Sequence, residues 1–330
     1  MERIGVLGAG TWGMALARVL SNAGHQVTVW SALEKEVEEY SATRVHPNLP
    51  GMEIPAAIGF TKSIEEVCKD KKILLFAVPS VFVRSTAGKA APYLVDGQII
   101  LDVAKGMEPG THLTMTQVIA DEIKNPAVKL VAFSGPTHAE EVAKDLPTAI
   151  VAACEDLSVS EFVQSLFTDT CMRVYTNDDV FGVELCGAMK NVMALAAGVA
   201  AGIGYGDNTK AALITRGIAE IARLGIAMGC RMETFFGLTG IGDLIVTATS
   251  VHSRNNRCGM LLGQGVPPQE AIAKVGMVVE GINALPAAME LMEKYHVEMP
   301  LTQAVNAVVN LGASPLEQVD ILMHRQIKAE

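Results

Sequence analysis

The sequence predicts an α/β half followed by an all-α half: a doubly wound parallel sheet over residues 1–180 and an all-helical domain over 181–330. Three observations carry this. Short apolar strands alternate with helical patterns through the first half. A glycine-rich turn joins the first strand to the first helix. The strand pattern then stops near residues 178–182, and the remainder reads at helical period.

Taken in order, the expected strands are 3–8 (RIGVLG), 25–30 (HQVTVW), 72–78 (KILLFAV), 98–104 (QIILDVA), 129–135 (KLVAFSG), 148–153 (TAIVAA) and 171–177 (CMRVYTN), with a weaker one at 58–61. Helical patterns at 12–22, 63–69, 80–91, 111–123, 138–144 and 158–167 fall between them. Apolar strands separated by helices imply a parallel sheet covered on both faces. Asp178-Asp179 offer a helix start at the boundary. Beyond it ALITRGIAEIARLGIAMG, PPQEAIAKV, INALPAAMELMEKY and PLTQAVNAVVNLG all have helical spacing.

The 330 residues are long for one core and comfortable for two. Half are hydrophobic and only 19% are charged, which suits closely packed helices. The net charge of −10 and the lack of basic runs argue against nucleic acid, although a cleft can still bind a small anion locally. Six cysteines, at 68, 154, 171, 186, 230 and 258, form no C-x-x-C pair and stand near no histidine at metal spacing. They read as buried, reduced thiols of a cytosolic protein without a metal site. Met1 leads almost at once into a strand, with no signal-peptide pattern. The stretch 185–206 is apolar but is interrupted by Lys190 and rich in glycine, so it reads as a bundle helix and not a membrane span.

The first strand runs into Gly8-Ala9-Gly10-Thr11-Trp12-Gly13 and then a helix. In that context G-x-G-x-x-G marks a Rossmann-type dinucleotide site. Gly8 permits the turn, Gly10 lets backbone N–H groups approach a pyrophosphate, and Gly13 lets helix and strand pack closely. The end of the second strand normally shows which nucleotide binds. An acid there holds the ribose hydroxyls of NAD, and an arginine takes the 2′-phosphate of NADP. Here the run is Trp30-Ser31-Ala32-Leu33-Glu34-Lys35, with neither in place. Ser31 could bond either form. The cofactor is therefore NAD or NADP, with weak discrimination expected.

Several polar residues stand where a ligand would lie. Lys105 ends a strand, as do Gly135 and Thr137, although Thr137-x-x-Glu140 also has the spacing of a helix capping box. Lys190 is the only charge between Glu184 and Asp207, on a helix apolar nearly all round, and a desolvated lysine can exchange protons near neutral pH. Asn191 beside it could bind a hydroxyl or phosphate. Asp243 opens DLIVTATS and could equally cap a helix, with Thr247 one turn on. Ser253, Arg254 and Asn255 have the make-up of a phosphate clamp.

Together these segments resemble NAD(P)-dependent glycerol-3-phosphate dehydrogenases of the soluble bacterial type, over nearly the whole chain. The resemblance rests on GAGTWG at 8–13, VAKG at 103–106, SGPTHAEEVA at 134–143, ELCGAMKN at 184–191, AALITRG at 211–217, GIGDLIVTATS at 240–250, HSRN at 252–255 and VVEG at 278–281. It implies that Lys190 donates and accepts the proton, and that Asp243 contacts substrate and orients Lys190 or a substrate hydroxyl. Lys105, Gly135, Thr137, Asn191, Thr247, Ser253, Arg254 and Asn255 would contact substrate. Thr11, Trp12, Lys105, Ala139, Arg254, Val278 or Val279, and Glu280 would line the cofactor. The implied reaction is reversible reduction of dihydroxyacetone phosphate to sn-glycerol 3-phosphate, feeding phospholipid synthesis, in a homodimer. Thr11 and Thr137 stand where serine is common, His138 where phenylalanine is, and Cys186 where glycine is. A basic residue usual near 32–33 is missing, which leaves the usual NADP preference open. The competing readings are a related 3-hydroxyacid or phosphogluconate dehydrogenase and a dinucleotide sensor without catalysis.

Overall fold

The computed structural model describes residues 1–327. Contacts divide them into two units. The first comprises Met1–Lys105 and Leu113–Glu184, and the second comprises Gly106–His112 with the chain from Leu185 onward.

The first unit is built on eight strands: β1 (Arg3–Leu7), β2 (Gln26–Trp30), β3 (Gly59–Thr61), β4 (Ile73–Phe76), β5 (Ile99–Asp102), β6 (Lys129–Ser134), β7 (Thr148–Ala153) and β8 (Met172–Asn177). They form one sheet in the order β3-β2-β1-β4-β5-β6-β7-β8. All the strands read from the sequence are present. Side chains alternate between two apolar layers, with Ile4, Val6, Ile73 and Leu75 on one face and Leu7, Leu74 and Phe76 on the other. Helices cover both faces, so neither row can be polar.

One pairing departs from the parallel expectation. β7 runs antiparallel to β6, and β8 then runs parallel to β7. The cause lies in the connection. A parallel crossover must carry the chain back along the whole length of a strand, usually through a helix of several turns. Between β6 and β7 there is only the one-turn helix Ala139–Val142. Between β7 and β8 the nine-residue helix Leu157–Ser165 suffices.

The helix Glu34–Thr43 has no counterpart in the apolar pattern, because it carries four glutamates and buries only Tyr40. The segment read as 80–91 is a 3₁₀ turn, Ser80–Phe82, followed by an α-helix, Val83–Ala90. Glu184 closes the first unit. Its buried carboxylate accepts from Thr114 Oγ1, Thr116 N and Thr116 Oγ1 at 2.5–2.8 Å.

The second unit is helical. Its centre is the helix Val180–Ile203, long and apolar enough to cross a membrane, but 78% of its apolar window is buried by its neighbours. Gly198 and Gly202 let the helix Arg254–Gly263 approach it backbone to backbone, since a Cβ at either would strike the carbonyls of Asn256 or Met260. The loop residue His112, which groups with this unit, is hydrogen-bonded to Glu290.

Candidate active site

The glycine turn has the shape of an anion cradle. Gly8 lies at φ +122°, and a Cβ there would sit 2.6 Å from the Ala77 carbonyl oxygen. A Cβ on Gly13 would clash with the Gly8 carbonyl oxygen. Gly10 is different: nothing lies within 4 Å of where its Cβ would point. Gly10 is also the N-cap of the helix Thr11–Asn22 and supplies no capping side chain, so the first N–H groups of that helix are left for a ligand. The Trp12 indole N–H is buried beside it and has no protein acceptor. Ala139 is buried in the same apolar layer as Ala9 and Met14. These features fit a dinucleotide pyrophosphate.

Lys105, just beyond β5, is half-buried, not a free surface lysine. Its Nζ donates to Gly135 O at 2.8 Å and to Thr137 Oγ1 at 3.3 Å. Thr137 in turn donates to Gly135 O at 3.1 Å. The capping-box reading of Thr137 does not hold: His138 is the N-cap, and no side chain caps that helix. A four-residue helix has one turn, and its chain enters through Pro136, so the hydroxyl turns toward the lysine instead.

At the end of β2, Ser31 is buried and its hydroxyl is engaged. Oγ accepts from Leu33 N at 3.1 Å and donates to Glu36 Oε2 at 2.5 Å. A carboxylate thus stands at the strand end, supplied from the third position of the helix Glu34–Thr43.

In the second unit Lys190 is buried but not alone. Its Nζ donates to Asp243 Oδ1 and to Thr247 Oγ1, each at 2.6 Å, and the two charged side chains are 7% and 1% exposed. Thr247 Oγ1 in turn donates to the Asp243 backbone carbonyl at 2.6 Å. Asp243 is the first residue of its helix and not the cap, which is Gly242 at the end of a π-helical turn, Leu238–Gly242. That turn requires glycine at 240, where a Cβ would strike the Phe235 carbonyl. It widens the helix just before Asp243, and such π turns recur at functional sites.

Asn191 and Asn255 tie the surrounding helices together. Asn255 Nδ2 donates to Asn191 Oδ1 and its Oδ1 accepts from Gly281 N, both at 2.9 Å. Asn191 Nδ2 donates to Gly187 O at 3.1 Å. Ser253 is the N-cap of the helix Arg254–Gly263, accepting from Asn256 N at 3.2 Å. Half-buried Arg254 is therefore the first residue of a ten-residue helix whose first turn holds no acid. Cations are disfavoured at that end of a helix dipole, so an arginine there, with the N–H groups around it, makes a strongly anion-seeking end. Val279 belongs to the apolar core, whereas Val278 is half-buried; Glu280 starts the helix Glu280–Lys294 and accepts from Asn283 at 3.4 Å.

Three participants escape the sequence reading. Asn256 Nδ2 donates to Ala248 O at 2.8 Å and fixes the arginine's helix against that of Asp243. Gly281 offers a backbone N–H, and its missing Cβ leaves room for the Asn191 carbonyl. Glu36 reaches back to Ser31. Of these, Asn256 had a signal in the paired asparagines at 255–256 and Gly281 in the VVEG block at 278–281, whereas Glu36 had none.

Two family models match the chain: the N-terminal part of NAD-dependent glycerol-3-phosphate dehydrogenase over residues 3–160 and its C-terminal part over residues 179–320. Among curated relatives, a glycerol-3-phosphate dehydrogenase (NAD(P)+) of Lactobacillus delbrueckii subsp. bulgaricus is 65% identical, over 100% of this chain and 99% of its own. One from Agathobacter rectalis is 53% identical over 100% and 98%. The crystal structure of a glycerol-3-phosphate dehydrogenase from Coxiella burnetii superposes with a TM-score of 0.93 at 36% identity, over 98% of this chain and 99% of that one.

Proposed function

The chain belongs to the NAD-dependent glycerol-3-phosphate dehydrogenase family, and from that premise we propose that it interconverts dihydroxyacetone phosphate and sn-glycerol 3-phosphate. The observation that carries the assignment of roles is the buried Lys190–Asp243–Thr247 cluster, with both lysine contacts at 2.6 Å. Bound NAD(H) or NADP(H) supplies or accepts the hydride at C2. Lys190 delivers the proton to the C2 oxygen as the alkoxide develops, and takes it back in the oxidative direction. Asp243 and Thr247 hold that ammonium in one place, so no side-chain entropy is lost at the moment of transfer. Arg254, at its helix start, binds the substrate phosphate with two parallel hydrogen bonds. Ser253 contributes by capping that helix, and Asn255 by bracing it against Asn191. In the first unit, Gly135 and Thr137 hold Lys105 as a positioned positive charge. There Gly8, Gly10, Thr11, Trp12, Gly13, Ser31 and Ala139 hold the nucleotide.

The product is the phosphorylated backbone on which glycerophospholipids are built, and we place the enzyme in the cytoplasm as a homodimer. Six thiols without a disulfide suit a reducing compartment. The direct test follows reduced-nicotinamide absorbance on mixing the protein with dihydroxyacetone phosphate. Turnover is expected with the phosphorylated ketone and not, at comparable kcat/KM, with dihydroxyacetone. Equal turnover of the two, or none of either, overturns the assignment, and turnover of a 3-hydroxyacid or of 6-phosphogluconate would put a related dehydrogenase in its place.

A further inference from the structure

We infer that Glu36, held by Ser31, selects NAD(H) against NADP(H). The inference rests on the nucleotide-binding reading of the glycine turn. β1 and β2 pair in parallel with Leu7 opposite Trp30, and Gly8 N donates to Trp30 O at 3.0 Å. The glycine turn and Ser31 therefore leave adjacent strands side by side, about 5 Å apart. A pyrophosphate over the start of the helix Thr11–Asn22 sets the adenosine ribose over the end of β2. Glu36 occupies that end. Its Oε2 is held by Ser31, and Ser31 is fixed by Leu33 N, so the carboxylate is oriented before any ligand arrives. A carboxylate accepts at both oxygens, so with Oε2 taken by Ser31 it is Oε1 that would accept from a ribose hydroxyl.

The surroundings oppose a phosphate. The helix Glu34–Thr43 carries Glu34, Glu36, Glu38 and Glu39 against the single Lys35. Lys62 is paired with Glu34. Arg44 donates to Ile58 O at 2.7 Å and stacks over the Phe60 ring. Lys35, the lysine of that helix, is exposed. A 2′-phosphate at the strand end would meet a carboxylate already in position, and the guanidinium nearby is committed elsewhere. The sequence pattern missed this because the acid lies six residues beyond the strand, on a helix with almost no apolar face.

The test titrates the protein with NADH and with NADPH by nicotinamide fluorescence, without substrate. The wild type is expected to bind NADH more tightly by roughly 10- to 150-fold, the factor carried by one charge-assisted hydrogen bond. Glu36→Gln should remove most of that ratio, weakening NADH and tightening NADPH. Ser31→Ala should move it the same way by less, and Lys35→Gln should leave it unchanged. Thermal melting checks that each variant is folded. Equal wild-type affinities, a ratio indifferent to Glu36→Gln, or NADPH binding that depends on Lys35 would each overturn this assignment alone. Failure to bind either dinucleotide would overturn it together with the nucleotide reading of the glycine turn.

Discussion

In the first unit, the groups that would face a ligand are mostly backbone. Gly8, Gly10 and Gly13 shape the cradle by what they lack, and the free N–H groups of a helix start provide the charge. Lys105 is steered by a carbonyl, that of Gly135. In the second unit the work falls to side chains brought from three helices, Lys190 and Asn191, Asp243 and Thr247, and Asn255, braced by the backbone N–H of Gly281 from a fourth. A backbone cradle tolerates almost any side chain that keeps clear of it, and fails when a Cβ is added. A side-chain cluster fails when any one member is cut, because its partner is left buried and unmatched. The two regions should therefore break in different ways.

The largest effect is expected at Lys190. Lys190→Ala should lower kcat by about 10²–10⁴-fold, the usual worth of a positioned acid–base group, while NADH binding by fluorescence titration stays near wild type. A mutant that keeps its kcat would remove Lys190 from the proton path. A mutant that also loses NADH binding would erase the contrast between the regions. Because Asp243 is left buried without its cation, Lys190→Ala should also melt earlier, and the double variant Lys190→Ala/Asp243→Asn should recover stability without recovering turnover.

Next comes Arg254. Arg254→Ala should reduce kcat/KM for dihydroxyacetone phosphate by roughly 10- to 150-fold, as expected for a lost charged hydrogen bond of about 1.5–3 kcal/mol. It should discriminate less against unphosphorylated dihydroxyacetone. Lysine should restore activity only in part, since it lacks the fork geometry. Sulfate should compete with substrate in the wild type and much less in the variant. If the preference for the phosphorylated ketone survives, the phosphate is read elsewhere.

The glycines sharpen the contrast in the first unit. Gly10→Ala enters open space, so its melting temperature should stay near wild type while NADH affinity falls by about tenfold or more, the methyl standing where the pyrophosphate would lie. Gly13→Ala should lose both, because overpacking against backbone typically costs about 1–3 kcal/mol. Equal behaviour of the two variants would mean that the cradle is not the binding surface.

The smallest expected effect concerns Asp102, at the end of β5. Burial, with nearby Glu184 adding to it, pushes its carboxyl well above the usual range, and its Oδ2 has no partner. An acid whose native pKa lies above its unfolded value holds its proton more tightly when folded. Its contribution to stability is whole below about pH 4 and is lost as the pH rises through the native value. Asp102→Asn cannot ionise, so it should match the wild type in acid and melt higher on the alkaline side, by no more than about 4 °C. A wild-type melting temperature that does not fall relative to the variant as pH rises would contradict this.

The sequence alone determined the strands, the alternation of layers and the glycine cradle. Those features depend on short-range rules: side-chain period, turn chemistry and the space around a missing Cβ. It also picked out Lys190, Asp243 and Arg254 as chemical residues, because charge is conspicuous in apolar surroundings. Tertiary structure alone decided which of them meet. Nothing local says that residue 190 pairs with residue 243, or that Asn255 joins residues 191 and 281, since those contacts span dozens of positions and depend on how the helices cross. Thr137 shows the same limit in reverse: its spacing fits a cap, but a helix of one turn after a proline gave its hydroxyl to Lys105. The antiparallel β6–β7 pairing was likewise set by the length of a helix and not by strand composition, and Glu36 reached the end of β2 only through the fold of a polar helix. Local chemistry fixes what each segment can do, and the path of the chain in space decides which partner it finds.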